Sequence, residues 1–88
     1  MTGMMGGDLG QLDALRKTFL DQVQTVEALR GAIDGVLGST QWTGPAADRF
    51  RSEWAGQFVP NLRRLQDALS ENAAVVQSRR AAIETATH

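Results

Sequence analysis

Apolar residues recur at every third or fourth position along the first part of the chain. The run comprises Leu9, Leu12, Leu15, Phe19, Val23, Val26, Leu29, Ile33 and Val36. Steps of three and four place side chains on one face of an α-helix. Asp8 suits the N-cap position, Gln11 completes a variant capping box, and Gly38 suits the position that stops a helix. The pattern predicts a first helix over residues 8–37.

A second apolar run follows with the same spacing. Its members are Ala47, Phe50, Trp54, Phe58, Leu62, Leu65, Leu69, Ala73, Val76 and Ile83. Pro45 suits the first helical turn, because its missing N–H would be unpaired there anyway. Pro60 lies inside the run, and we expect it to kink the helix rather than end it, since the spacing resumes beyond it. These features predict a turn over 38–44 and a second helix over about 45–85.

Two helices joined by a short turn form an antiparallel hairpin, so the predicted fold is all-α. At 1.5 Å per residue the first helix is ~45 Å long and the second ~60 Å. We therefore expect the final dozen residues, 77–88, to project past the start of the first helix. Residues 1–7, which contain three Met and three Gly, are expected to form a flexible arm.

A lone helical hairpin has no interior, and this one has broad apolar faces. The stripe on the second helix spans roughly 140°, against the ~100° usual for a surface helix. Such exposure exceeds what soluble monomers tolerate, so we expect an obligate dimer that closes as a four-helix bundle. The expected core and interface residues are Leu12, Leu15, Phe19, Val26, Leu29, Ile33, Phe50, Trp54, Phe58, Leu62, Leu65 and Leu69.

Composition narrows the classes of partner. The net charge is −1 and there is no cysteine, which excludes disulfides and thiolate metal sites. The balanced charge gives no electrostatic attraction to nucleic acid, so we expect no nucleic-acid partner. No apolar run reaches the ~18 residues of a membrane span, so stable membrane insertion is not expected. The N-terminal residues also lack the pattern of a cleaved signal peptide.

Catalytic chemistry has little basis in this sequence. His88 is the only histidine and the last residue. The carboxylates are spread along polar helix faces without a close, supported pair for acid–base catalysis. No glycine-rich loop follows a strand to bind phosphate. We expect no catalytic residue, no metal ligand and no cofactor.

The turn carries an unusual residue, Trp42, two places before Gly44-Pro45. An indole at this point is expected to plug the open end of the core, with its N–H still reaching a carbonyl or water. Trp42-Thr43-Gly44 at the centre of a helical hairpin resembles the Trp-x-Gly motif of the small type VII secretion substrates. These are the early-secreted-antigen-like proteins of actinobacteria and Gram-positive bacteria.

The resemblance extends over residues 8–85. Ala46 and Ala47 after the motif agree with the family pattern, as do Phe50, Trp54 and the leucine stripe. A second Trp-x-Gly, Trp54-Ala55-Gly56, lies inside the predicted second helix and not at a turn.

The resemblance implies a non-enzymatic protein that pairs with a sister hairpin and is exported folded by a machine driven by a membrane-embedded ATPase. Trp42 and Gly44 would serve as recognition positions, and the protein would end outside the cell without cleavage of a signal peptide. Family members carry a C-terminal Tyr-x-x-x-Asp/Glu signal, but this chain has no tyrosine, and Ile83 and Thr87 stand at those positions. We therefore expect the signal-lacking subunit of a heterodimer, with a homodimer using a degenerate tail as the other possibility. The alternative function is an intracellular helical adaptor with no export role.

Overall fold

The computed structural model describes residues 8–87, which form two antiparallel helical arms. The first arm is α1 (Leu9–Ser39). The second arm runs without interruption through α2 (Pro45–Glu53), a π-helical segment (Trp54–Phe58) and α3 (Val59–Thr87). Residues 8–87 contain no strand, so the predicted all-α fold is confirmed. The flexible arm predicted over residues 1–7 lies outside the described part of the chain.

Local hydrogen bonds explain where α1 begins and ends. The Asp8 carboxylate accepts the backbone N–H of Gln11 at 2.9 Å, as expected of an N-cap residue. At the other end Gly38 lies inside the helix, which ends at Ser39 and not at residue 37. Thr40 is extended, and its hydroxyl bonds to the Val36 carbonyl. The helix therefore ends where the backbone becomes extended at Thr40, and not at the expected glycine.

Glycine is required at the start of the second arm. Gly44 has φ +113°, the one positive φ among the described residues, in a region that side-chain-bearing residues rarely enter. Pro45 follows as the first residue of α2, and the Gly44 carbonyl accepts the N–H of Asp48 at 3.0 Å. Gly44 and Pro45 thus reverse the chain and start the next helix.

Pro60 does not end the helix, as expected, and a π-helical segment lies just before it. The N–H of Val59 donates to the carbonyl of Trp54, five residues back, instead of four. Pro60 has no N–H, and in a regular α-helix its ring would crowd the carbonyl of Gly56. Widening the helix by one residue ahead of Pro60 relieves this crowding.

Three contacts set the pairing of the two arms. The Trp54 side chain bonds to Asp34, the Gln66 amide to the Val23 carbonyl, and Arg80 to Asp13. These partners move towards the start of α1 as the chain advances along the second arm, so the arms are antiparallel.

The pairing reaches further along α3 than expected. Arg80 is held by Asp13, and Ile83 lines the same groove as Leu12. The expectation that residues 77–88 project past α1 is therefore wrong for the part up to Ile83.

The hairpin is a rod with very little interior. Its dimensions are 64 × 18 × 15 Å, and a helix with its side chains is about 10–12 Å across. Within residues 8–87 the buried apolar residues are Ala47, Trp54 and Ala73, and no large side chain is completely enclosed. The two arms therefore touch along one seam, and the rest of each helix faces outwards.

Candidate functional site

The seam between the arms follows an alternation of three and four residues. On α1 its half-buried members are Leu9, Leu12, Arg16, Phe19, Val23, Val26, Arg30, Ile33 and Leu37. On the second arm the buried or half-buried members are Ala47, Arg51, Trp54, Val59, Leu62, Gln66, Leu69, Ala73, Val76, Arg80 and Ile83. This is the spacing of helices that pack side by side as in coiled coils.

One side of the seam is polar and closed by contacts between the arms. Asp13, Glu27 and Asp34 lie at seven-residue multiples on this side of α1. The Asp13 carboxylate accepts Nε of Arg80 at 2.9 Å, and Oδ1 of Asp34 accepts the indole N–H of Trp54 at 2.6 Å. Glu27 accepts the amide of Gln66 at 3.4 Å. Each carboxylate therefore ties α1 to the second arm.

Ion pairs on this side shift the pKa of their members. A hydrogen bond from Arg30 lowers the pKa of the Glu27 carboxyl. The Gln66 amide and the charge of Arg63 lower this pKa further. The Asp13 carboxylate raises the pKa of the Arg80 guanidinium by hydrogen bonding. Because the carboxylates remain about half exposed, these pKa shifts reflect local pairing and not a buried charge.

The other side of the seam is apolar and open. On α1, Leu15, Leu29 and Val36 lie at seven-residue multiples, each directly before a seam residue. On the second arm, three residues hold the equivalent place: Phe50, Phe58 and Leu65. All six are between 37 % and 63 % exposed. We call these six residues the apolar face.

The two halves of the apolar face lie on the same side of the hairpin. Arg80 bonds to both Asp13 and Glu84, so Glu84 lies on the polar side, and Arg63 holds the same heptad position three heptads earlier. Leu65 is two residues beyond Arg63, a rotation of about 200° that carries it to the opposite side. The same reasoning separates Leu29 from Glu27. The six residues thus lie on one side of the rod, with the polar Gln22 at the heptad position between Leu15 and Leu29.

Aromatic rings extend the apolar face to the turn. The ring centroids of Trp42 and Phe50 are 6.1 Å apart, and those of Phe50 and Phe58 are 6.5 Å apart. Trp54 contacts Phe58 at 6.2 Å but is only 8 % exposed, whereas Trp42 is 41 % exposed. The expectation that Trp42 plugs the core is therefore wrong in the hairpin: Trp54 fills that place, and Trp42 lies outside it.

Arg51 holds the turn that carries Trp42. Its guanidinium donates to the carbonyls of Trp42 at 2.6 Å, Thr40 at 3.3 Å and Leu37 at 3.4 Å. Its central carbon also lies 5.8 Å from the centroid of the Trp42 ring, within the range of a cation–π contact. The last carbonyls of a helix lack partners within it, and Arg51 supplies one to the end of α1. Sequence reasoning missed this residue.

A shallow groove of about 480 Å³ lies at the opposite end of the rod. Leu12 contributes from α1, and Val76 and Ile83 contribute from α3. Arg79 lines it beside these apolar side chains.

The predicted core and interface residues divide into two groups. Leu12, Phe19, Val26, Ile33, Trp54, Leu62 and Leu69 lie in the seam, whereas Leu15, Leu29, Phe50, Phe58 and Leu65 lie on the apolar face. Of the recognition positions, Trp42 is exposed at the turn and Gly44 is half-buried. The residues predicted to form one core and interface therefore belong to two different surfaces, the seam and the apolar face.

Comparison with models of known protein families, with curated protein sequences and with solved structures gave no match. Across residues 8–87, no grouping of His, Cys, Asp and Glu could hold a metal ion. None of the helices in that range combines the length and apolar character that crossing a lipid bilayer requires.

Proposed function

We propose that this chain is one subunit of a helical bundle, and that a second helical hairpin covers its apolar face. The observation that carries the proposal is the contrast between the two sides of the seam. One side is closed by ion pairs and hydrogen bonds, while the other presents six large apolar side chains. Their spacing is seven residues or a multiple of seven, except for the step of eight from Phe50 to Phe58 across the π-helical segment. Heptad spacing is the arrangement into which the side chains of another helix interlock.

The size of the surface suits a stable pair. The 31 residues of α1 extend for about 46 Å, and the rod is 18 Å wide. This footprint is on the order of that of a standard protein interface. A second hairpin has the matching length and width, and two hairpins face to face make a four-helix bundle.

Within this bundle, the chain is a non-enzymatic substrate of a type VII secretion system, exported as a folded dimer without a cleaved signal peptide. The support is the resemblance of Trp42-Thr43-Gly44 to the family motif, at a turn where the indole is exposed. The partner is a sister hairpin that supplies the C-terminal signal missing here, and the secretion ATPase reads the combined surface. The destination is outside the cell.

An intracellular helical adaptor is the second candidate function. The ring of Trp42 contacts Phe50 and lies under Arg51, so Trp42 has a packing role that requires no export machine.

Substitution of Trp42 by Ala separates the two functions when the chain is expressed in its native host with its neighbouring genes. If the chain is exported, the Trp42→Ala complex should keep its mass, while the fraction of the protein found outside the cell should fall at least tenfold. Trp42→Phe, which keeps an aromatic ring at the turn, is the matched variant for packing. If both variants and the unaltered chain stay inside the cell in equal amounts, the export function is refuted and the adaptor stands.

A further inference from the structure

The π-helical segment interrupts the seam of the second arm. Trp54 and Val59 are consecutive seam residues, yet they are five positions apart, whereas every other seam step is three or four. The backbone bond from Val59 to Trp54 spans the same five positions. One extra residue has thus been inserted into an otherwise regular helix.

The inserted residue decides which of two apolar stripes on α3 packs against α1. The inner stripe, in the seam, has two polar members, Gln66 and Arg80, and six apolar ones: Val59, Leu62, Leu69, Ala73, Val76 and Ile83. The outer stripe lies one position earlier and has three polar members, Asn61, Asn72 and Arg79, and five apolar ones: Phe58, Leu65, Ala68, Val75 and Ala82. Phe58 and Leu65 are both exposed. Adjacent helical positions differ by about 100° of rotation. An uninterrupted α-helix from Trp54 would therefore turn the outer stripe into the seam and the inner stripe out of it.

The side chains explain why the inserted residue is kept. An uninterrupted helix would bring Asn61 and Asn72 into the seam beside Phe58 and Leu65, in place of the more apolar inner stripe. Trp54 must also stay in the seam to reach Asp34. A regular helix cannot place both Trp54 and the inner stripe in the seam. The inner stripe begins five positions after Trp54, one more than a regular helix allows.

We propose that the π-helical segment is a register adaptor that builds the apolar face. It lets Trp54 and the inner stripe pack on α1 together, and it thereby turns Phe58 and Leu65 outwards beside Phe50. The choice of stripe is a property of the single hairpin; only its consequence for binding a second hairpin rests on the proposed function.

Deletion of Gly56 tests the register adaptor directly. Gly56 is exposed, and a Cβ placed on it would meet no atom within 4 Å, so its removal breaks no packing. The deletion leaves Trp54 and Val59 four positions apart, which a regular α-helix accommodates with both in the seam. Because the Pro60 ring would crowd a regular helix, the deletion is made in Pro60→Ala and compared with Pro60→Ala alone. We expect the thermal midpoint of unfolding to be unchanged or higher.

Deletion of Asp67 is the matched control. Asp67 is an exposed residue of α3, but removing it forces either Leu62 or Leu69 out of the seam. We expect the midpoint to fall by about 5 °C or more, the shift that loss of one half-buried leucine produces in a small domain. A comparable fall on deletion of Gly56 would overturn the register adaptor.

A cysteine reporter identifies the stripe in the seam, since the chain has no cysteine of its own. Leu69→Cys should react with a thiol reagent equally slowly with and without Gly56. A tenfold faster reaction after the deletion would mean that the inner stripe had left the seam, and would refute the proposal. Leu65→Cys reports on the apolar face separately: if it stays reactive in the complex isolated after co-expression with neighbouring genes, the proposed pairing fails while the register adaptor stands.

Discussion

The indole N–H of Trp54 donates to the Asp34 carboxylate across the hairpin at 2.6 Å, and Trp54 is one of three buried apolar residues within residues 8–87. The second oxygen of Asp34 accepts from Arg30 at 2.6 Å. The Trp54–Asp34 hydrogen bond attaches the start of the π-helical segment to α1. It therefore fixes the register of the second arm at the point where that register changes.

Trp54→Phe should lower the free energy of unfolding by about 1–2 kcal/mol, because a hydrogen bond and part of a buried ring are lost. Trp42→Phe makes the same change at an exposed indole and should cost less than about 0.5 kcal/mol. Denaturant unfolding of both variants gives the comparison. Equal costs at the two positions would show that the bond to Asp34 has no special weight.

Arg51→Lys should destabilise the hairpin by about 1–2 kcal/mol, since an ammonium group cannot reach three carbonyls as the planar guanidinium does. Arg49 is an exposed neighbour on α2, and Arg49→Lys should stay within about 0.5 kcal/mol of the unaltered chain. Amide hydrogen exchange at residues 40–43 should also become faster in Arg51→Lys alone. Unchanged exchange there would contradict the role of Arg51 in holding the turn.

Gly44→Ala and Gly35→Ala should act in opposite directions. Gly44 has φ +113°, so a side chain there strains the turn and should cost about 1–3 kcal/mol. Gly35 lies inside α1, and a Cβ placed on it would meet no atom within 4 Å. Alanine at Gly35 should therefore stabilise the helix by up to about 1 kcal/mol. Thermal unfolding measures both, and a stabilised Gly44→Ala variant would contradict the geometry of the turn.

The pairing of Glu27 predicts a loss of stability in acid. Its pKa is lowered from the ordinary 4.5, mainly by hydrogen bonding from Arg30 and then from Gln66. A carboxyl with a lower pKa in the folded chain stabilises it fully above the unfolded pKa, and this contribution disappears as the pH falls through the folded value. The unaltered chain should therefore lose more stability between about pH 5 and pH 3 than Glu27→Gln does.

Glu71 provides the control for this measurement, because it is an exposed carboxylate on the same pair of arms. Denaturant unfolding of Glu71→Gln should follow the pH dependence of the unaltered chain. If the free energy of unfolding depends on pH in the same way for Glu27→Gln and the unaltered chain, the pairing of Glu27 does not cause the loss of stability in acid.

Much of the fold could be predicted from residue spacing, because one helical face alternates by threes and fours wherever it packs. The role of the two tryptophans could not, since Trp42-Thr43-Gly44 and Trp54-Ala55-Gly56 have the same Trp-x-Gly form. Their difference lies in which ring reaches Asp34, and this depends on the pairing of the arms.

The division of the apolar residues between the seam and the apolar face could not be predicted either. In a sequence, a step of five residues between apolar positions is hard to distinguish from a step of four. Pro60 indicates that the helix is irregular there, but it does not indicate how many residues are inserted. The seam arginines, Arg16, Arg30, Arg51 and Arg80, were missed because their charge suggests a solvated face, although their long apolar stems can line a seam.

Two leucines of α1 give the most direct test of the central claim that a second hairpin covers the apolar face. Leu29 belongs to that face, whereas Leu20 is similarly exposed on the polar side, in heptad register with Asp13 and Glu27. Native mass spectrometry after co-expression with the neighbouring genes should find two-hairpin complexes for the unaltered chain and for Leu20→Lys. Leu29→Lys should give only single hairpins. Single hairpins from the unaltered chain, or intact pairs from Leu29→Lys, would contradict the account.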